Sequence, residues 1–288
     1  MKNQIRKSLV SAGLILIISG ICINVLSQNT GAAVKLVYNY PADKSIKYLN
    51  NSVMTQIMDM QGQSMQVDVN SAFGCSVRTA GKQDNNLKIE IRIDTLGQTT
   101  NSPMGSSGGA IQDIKGNTCN IIISPEGKVI DMSESANLVY TMEGSGQSNM
   151  SQNLSDFFPV LPSNAVTTGD SWNMTDSATI KSASMTMKTI DNIVSKLEGF
   201  ETVSGIECAR ISGVHSGTMT MSVQNQGMDI FIKGPFTGTS EYLFAIKEGY
   251  FLKLSSATKV TGNLEISSPE SMSMPIVLDM KSVNEVTK

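Results

Sequence analysis

Residues 65–77 read MQVDVNSAFGCSV, and their apolar members fall on every second position: Met65, Val67, Val69, Phe73, Cys75 and Val77. Gln66, Asp68, Asn70 and Ser76 stand between them. A period of two places alternate side chains on opposite faces of an extended chain, so this segment predicts a strand with one buried and one wet face. Leu87, Ile89, Ile91 and Ile93 repeat the pattern around Lys88, Glu90 and Arg92. The intervening AGKQDNN, residues 80–86, is rich in turn formers, which makes 64–96 a hairpin.

The same reasoning extends along the chain. CNIIISPEGKVIDM at 119–132 and SEYLFAIKEGYFLKLSSATKV at 240–260 each carry a glycine-containing reversal between two β-rich runs. In the last strand Met272, Met274, Ile276, Leu278 and Met280 share a face, and Pro275 argues for a strand start or a sheet edge there. Helix is scarce. SNMSQNLSDFFPVLP offers one covering helix over roughly 148–158, ended by Pro159. Two Gly/Ser-rich segments, 100–110 and 143–151, read as loops, and Gly213 and Gly217 as bulges. The expected fold is mainly β: a large curved antiparallel sheet, or two tandem half-barrels, with a short covering helix.

Composition narrows the function classes. Hydrophobic residues make up 40% of the 288 and charged ones 16%, a globular balance. Lys2, Arg6 and Lys7 precede an apolar run from Leu9 to Leu26, and Val25 and Ser27 suit cleavage before Gln28. Residues 1–27 therefore read as a signal peptide for export to the periplasm or beyond, with a retained N-terminal membrane anchor as the alternative. Ile21 before Cys22 argues against lipidation. Cleavage leaves 19 Lys/Arg against 25 Asp/Glu, a net charge of about −6, with no basic stripe for nucleic acid. Cys75, Cys119 and Cys208 remain, open to any one of three pairings or to burial as small hydrophobes.

The chain divides into an N-terminal β half, 34–160, and a C-terminal β half, 161–288, each a series of long strands closing on a glycine hairpin. LPSNAVTTG at 161–169 lies between them as a linker, and one continuous domain is the alternative. The segments FPVLPSNAVTTGDSW (158–172) and GFETVSGIECARI (199–211) carry a resemblance. They resemble an uncharacterised family of secreted bacterial proteins of unknown function, with a G-D-S-W entry and a later V-x-G before a Cys-containing strand. At fold level the pattern is similar to LolA-like half-barrel lipid carriers. That similarity implies a curved sheet wrapped on a helix and holding acyl chains.

Of 18 methionines, eight fall in four Met-x-Met pairs: Met58/Met60, Met185/Met187, Met219/Met221 and Met272/Met274. Methionine is unbranched and polarisable and adapts to varied apolar partners. The four pairs with Leu278 thus form the candidate wall of a cavity for a hydrophobic or lipidic ligand. A strand through 214–222 also puts His215, Met219 and Met221 on one side, a soft donor set for Cu(I), with Trp172, the single tryptophan, as a stacking neighbour. His215 is the single histidine, so a multi-histidine zinc site is excluded. A Cys208–His215 pair is open on spacing, and Asp170 and Asp176 fit capping or solvated roles. No G-x-S-x-G turn occurs, and the expectation is no enzymatic activity and no cofactor. The expected partner is a lipidic small molecule held by an exported binding protein. The alternatives are an envelope structural or interaction protein with a filled core, or a periplasmic Cu(I) carrier.

Overall fold

The computed structural model describes residues 32–287 apart from 61, 143–145, 182–184, 226–227 and 268–270. The expected signal peptide and Cys22 lie outside the described residues. The N-terminal part lays down β1 (Ile46–Met60), β2 (Gln63–Gln83), β3 (Asn86–Ser102), β4 (Gly105–Ala110), β5 (Thr118–Ile123) and β6 (Val129–Asp131). There follow α1 (Ser133–Ala136), a hairpin of β7 (Val139–Met142) and β8 (Gly146–Asn149), and α2 (Ser151–Leu154). The C-terminal part is β9 (Ser171–Lys181), β10 (Met185–Val203), β11 (Ile206–Asn225), β12 (Met228–Ala245), β13 (Tyr250–Ile266) and β14 (Met272–Thr287).

Twelve strands form one antiparallel sheet in the order β6-β5-β3-β2-β1-β14-β13-β12-β11-β10-β9, with β4 paired to β3. The single curved sheet is the form adopted, and it does not close. The two meanders meet where β1 pairs with β14 over twelve positions, from Lys47↔Thr287 to Met58↔Ile276. β14 is therefore central and not an edge, which corrects the reading of Pro275. The β1 ladder has ended at Ile276, so a missing N–H at Pro275 breaks no bond on that side.

Two further expectations change. The register of β11 runs without a shift past Gly213 and Gly217, so neither is a bulge. A Cβ on Gly217 would meet the Ile190 carbonyl and the Phe236 ring, so the glycine admits close strand approach and the ring. The helix expected over 148–158 is reduced to Ser151–Leu154, with β8 before it. Residues 105–110, expected as loop, pair as β4.

Two apolar clusters share the inner face of the sheet. The first lies where turns, α2 and the segment 34–40 cover the strands, and it concentrates the aromatic residues. Phe157 stands edge-on to Tyr48 at 5.3 Å, to Phe158 at 4.9 Å and to Phe251 at 5.6 Å. Tyr48 donates its hydroxyl to the Phe251 carbonyl at 2.8 Å, and Tyr38 donates to that of Pro159 at 2.7 Å, so the buried phenols are satisfied. Register shifts at Gly74/Cys75, Leu197/Gly199 and Leu243/Phe244 add local twist at this end. The outer face carries Lys188, Lys196, Lys233, Lys259 and Lys281 in the open, the mark of a water-facing surface. Phe157→Ala is expected to cost about 3–5 kcal/mol in urea denaturation, since it empties the centre of the aromatic cluster.

Candidate functional site

Among the described residues the second cluster consists of strand side chains. Met58, Met219, Ile232, Phe236, Val260, Leu264, Met274, Ile276 and Leu278 are buried, with Met65, Met187, Met221 and Met280 packed against them. They come from β1, β2 and β10 to β14 of one sheet, so only curvature brings them together. Among the described residues no helix or loop residue takes part.

Of the candidate wall, the cluster gathers Met58, Met187, Met219, Met221, Met274 and Leu278. Met185 is half-buried at the far end of β10, opposite Val223, and Met272 is 40% exposed. The side chain of Met60 lies outside the described residues. Two open recesses of about 430 and 310 Å³ lie elsewhere, one beside β4 and β7, the other around Tyr38, Asn85 and Gly249.

Between the two clusters a polar row crosses the inner face. Ser195 of β10 pairs with Gly213, Gly213 with Ser240, Ser240 with Ser256 and Ser256 with Ser282. Ser282 pairs with Ser52, Ser52 with Ser71, and Ser71 with Gln98 of β3. Eight strands thus contribute small or polar residues at one level, about 34 Å across at the usual strand spacing. Ser256 and Ser282 share a hydrogen bond of 2.8 Å. A Cβ on Gly213 would press on the Ser240 hydroxyl and displace it from its place beside His215. The period-two pattern shows each serine inside its own strand, but only the register aligns them.

At one side of this row stand the ionisable groups. His215 Nδ1 lies 2.7 Å from Asp191 Oδ2, and His215 Nε2 lies 2.9 Å from the Ser240 hydroxyl. Asp176 sits directly opposite Asp191 on β9. Such a pairing of like charges is unfavourable, and the imidazole beside it offsets the cost. Asp156, following α2, is accessible to water yet surrounded within the concavity. Desolvation, then the charges of Asp176 and Asp191, push its carboxyl above its usual range, against a smaller opposing effect of His215.

The Asp191–His215–Ser240 chain has the connectivity of a nucleophile, base and orienter. Its surroundings lack the complement. Ser240 lies inside β12, laddered on both sides by β11 and β13, so the nearby backbone N–H groups belong to the sheet. The adjacent carboxylates oppose a developing oxyanion. The arrangement holds the imidazole in place.

Both ring nitrogens of His215 have protein partners, and Met219 and Met221 lie further along the same face in the apolar cluster. Among the described residues no group of three His, Cys, Asp or Glu could hold a metal ion. Trp172 pairs with Ser195 and packs against the aromatic cluster. Cys208 faces the opposite side of β11 from His215 and donates to the Ile206 carbonyl at 3.5 Å. Burial, with Glu248 nearby, pushes its thiol up to about 11. Cys75, Cys119 and Cys208 are all free and buried. Asp170 closes a turn by accepting from the Thr167 N–H at 2.7 Å, and that bond holds its carboxyl low.

No protein-family model matches the chain, and no curated protein matches it. Among solved structures it is similar to Neisserial surface protein A at 7% identity, over 84% of this chain and 97% of that one, with a TM-score of 0.23. A putative exported protein with a YmcC-like fold from Bacteroides fragilis matches at 10% identity over 87% and 97%, TM-score 0.23. A DUF1329 family protein from Desulfovibrio piger matches at 14% identity over 83% and 85%, TM-score 0.14. Likenesses this slight carry no inference about fold or function. The expected likeness to LolA-type carriers is not shown, and the helices among the described residues, four residues each, are too short for a sheet to wrap.

Two outcomes are expected from this geometry. A carboxyl whose pKa rises on folding costs stability once ionised and nothing below the unfolded range of about 3.9. Asp156→Asn is therefore expected to raise Tm at pH 7 and leave it unchanged at pH 3. A fluorophosphonate probe is expected to leave Ser240 unmodified by mass spectrometry. Labelling that disappears in Ser240→Ala would show a working nucleophile instead.

Proposed function

We propose that the protein is an exported, non-enzymatic binding protein whose concave sheet face takes a hydrophobic or amphiphilic ligand along its methionine cluster. The observation that carries this reading is a cluster assembled from seven strands of one unclosed sheet, with no covering element among the described residues. A structural core is ordinarily sealed by a second layer, as the aromatic end of this same sheet is. At the methionine end the described members of the cluster are all strand side chains packed on one another. Thioether chains rotate at low cost, so a ligand can part them without disturbing the ladders. Export is supported by the basic and apolar character of residues 2–26.

The near-complete burial of Ile276 at 1% and Leu278 at 2% favours a second reading, an envelope structural or interaction protein with a filled interior. One titration separates them. The mature chain, mixed with the neutral fluorophore N-phenylnaphthylamine, is expected to give saturable, blue-shifted emission. Met219→Gln with Met274→Gln should weaken uptake at least about tenfold, with circular dichroism confirming the fold. Absence of saturable uptake by the unaltered chain would support the filled interior.

A further inference from the structure

We propose that the ligand is an amphiphile with an uncharged, hydroxyl-rich headgroup, bound with its chain along the methionine cluster and its polar part on the serine row. This inference rests on the binding reading above and names the chemistry of that same face. Three observations converge on it.

The first is the position of the row. Ser52, Ser71, Ser240, Ser256 and Ser282 lie at one level of the inner face, bordered by the methionine cluster. Ser71, Ser240, Ser256 and Ser282 each meet one protein partner, and a hydroxyl keeps further hydrogen-bonding capacity that a ligand can use. Serine is also the smallest polar side chain that can line a concave floor, so the row leaves room where larger apolar residues would fill it. All five serines are half-buried and reachable from the concavity.

The second is an unmet acceptor. Asn284 follows Ser282 on the same face of β14 and pairs with Asn50 and Leu254. It is 1% exposed, and its Oδ1 meets no donor. A buried carbonyl oxygen of this kind seeks an O–H or N–H.

The third is charge. Along the inner positions from the serine row through the methionine cluster, among the described residues, no Lys or Arg occurs; Lys82, opposite Leu87, stands at the far, aromatic end. The ionisable groups beside the row are Asp156, Asp176, Asp191 and His215, and the histidine is already engaged by Asp191. A carboxylate or phosphate headgroup would be desolvated next to carboxylates with no cation to meet it. A sugar-like or polyol headgroup brings donors for Asn284 and both donors and acceptors for the serines.

The test compares two amphiphiles of equal chain length, decyl glucoside and decanoate, as competitors for bound N-phenylnaphthylamine at neutral pH and below micelle formation. Decyl glucoside is expected to displace the fluorophore, and decanoate to require a concentration higher by more than about a hundredfold. The variant Ser52→Ala/Ser282→Ala/Asn284→Leu is expected to bind the fluorophore as before and to lose roughly fivefold to tenfold in glucoside affinity. Decanoate competing as well as the glucoside, or a variant that keeps full glucoside affinity, overturns the headgroup assignment. If the fluorophore itself does not bind, the binding reading fails first, which separates the two outcomes.

Discussion

The pairing of β1 with β14 is the constraint on which the architecture depends. Twelve successive positions tie residue 47 to residue 287, and without them two meanders would each present a long free edge. With them, the outer strands among the described residues are β6 and β4 at one side and β9 at the other. The contact joins segments more than two hundred residues apart, so its loop-closure entropy must be met before the register rewards it.

That register also decides which levels of the sheet meet. The seven strands β1, β2 and β10–β14 cross three zones: an aromatic zone sealed by α2 and neighbouring segments, a serine level, and a methionine zone with no cover among the described residues. A one-residue slip at β1–β14 would turn Ser52, Met54 and Met58 outward and bring Val53 and Ile57 in. The asymmetry between the ends follows from side-chain type. Rigid aromatic rings interlock with α2 and the 34–40 segment, whereas flexible thioethers fill a curved surface by themselves.

The polar groups are organised by the same geometry. His215 is fixed through both nitrogens, one by a carboxylate from β10 and one by a hydroxyl from β12. Its two partners are 24 and 25 residues away in sequence, so the trio exists only through strand pairing. The surrounding strands commit the backbone donors that acyl transfer would need. The hydrogen-bond chain Asp191–His215–Ser240 thus joins three neighbouring strands across the floor of the concave face.

Much of the β architecture was legible in the chain. Alternation at Met65–Val77 and Leu87–Ile93 specifies strands with one apolar face, because the side-chain period of an extended chain is two regardless of what surrounds it. The glycine reversals near Gly127 and Gly249 were likewise readable, since local backbone conformation demands them; both have positive φ. Pro275 misled because its meaning depends on where the neighbouring ladder stops, and the length of α2 because Asn149 and β8 claim residues that composition alone would give to a helix. The methionine pairs were visible as stripes, but which of them converge was set by curvature, and Met272 stays at the exposed end. The serine level and the Asp191–His215–Ser240 chain were invisible in the sequence, because isolated serines in separate strands carry no periodic signal. Local periodicity determined the strands and their faces; strand order, register and curvature, which are long-range properties, decided what those faces enclose.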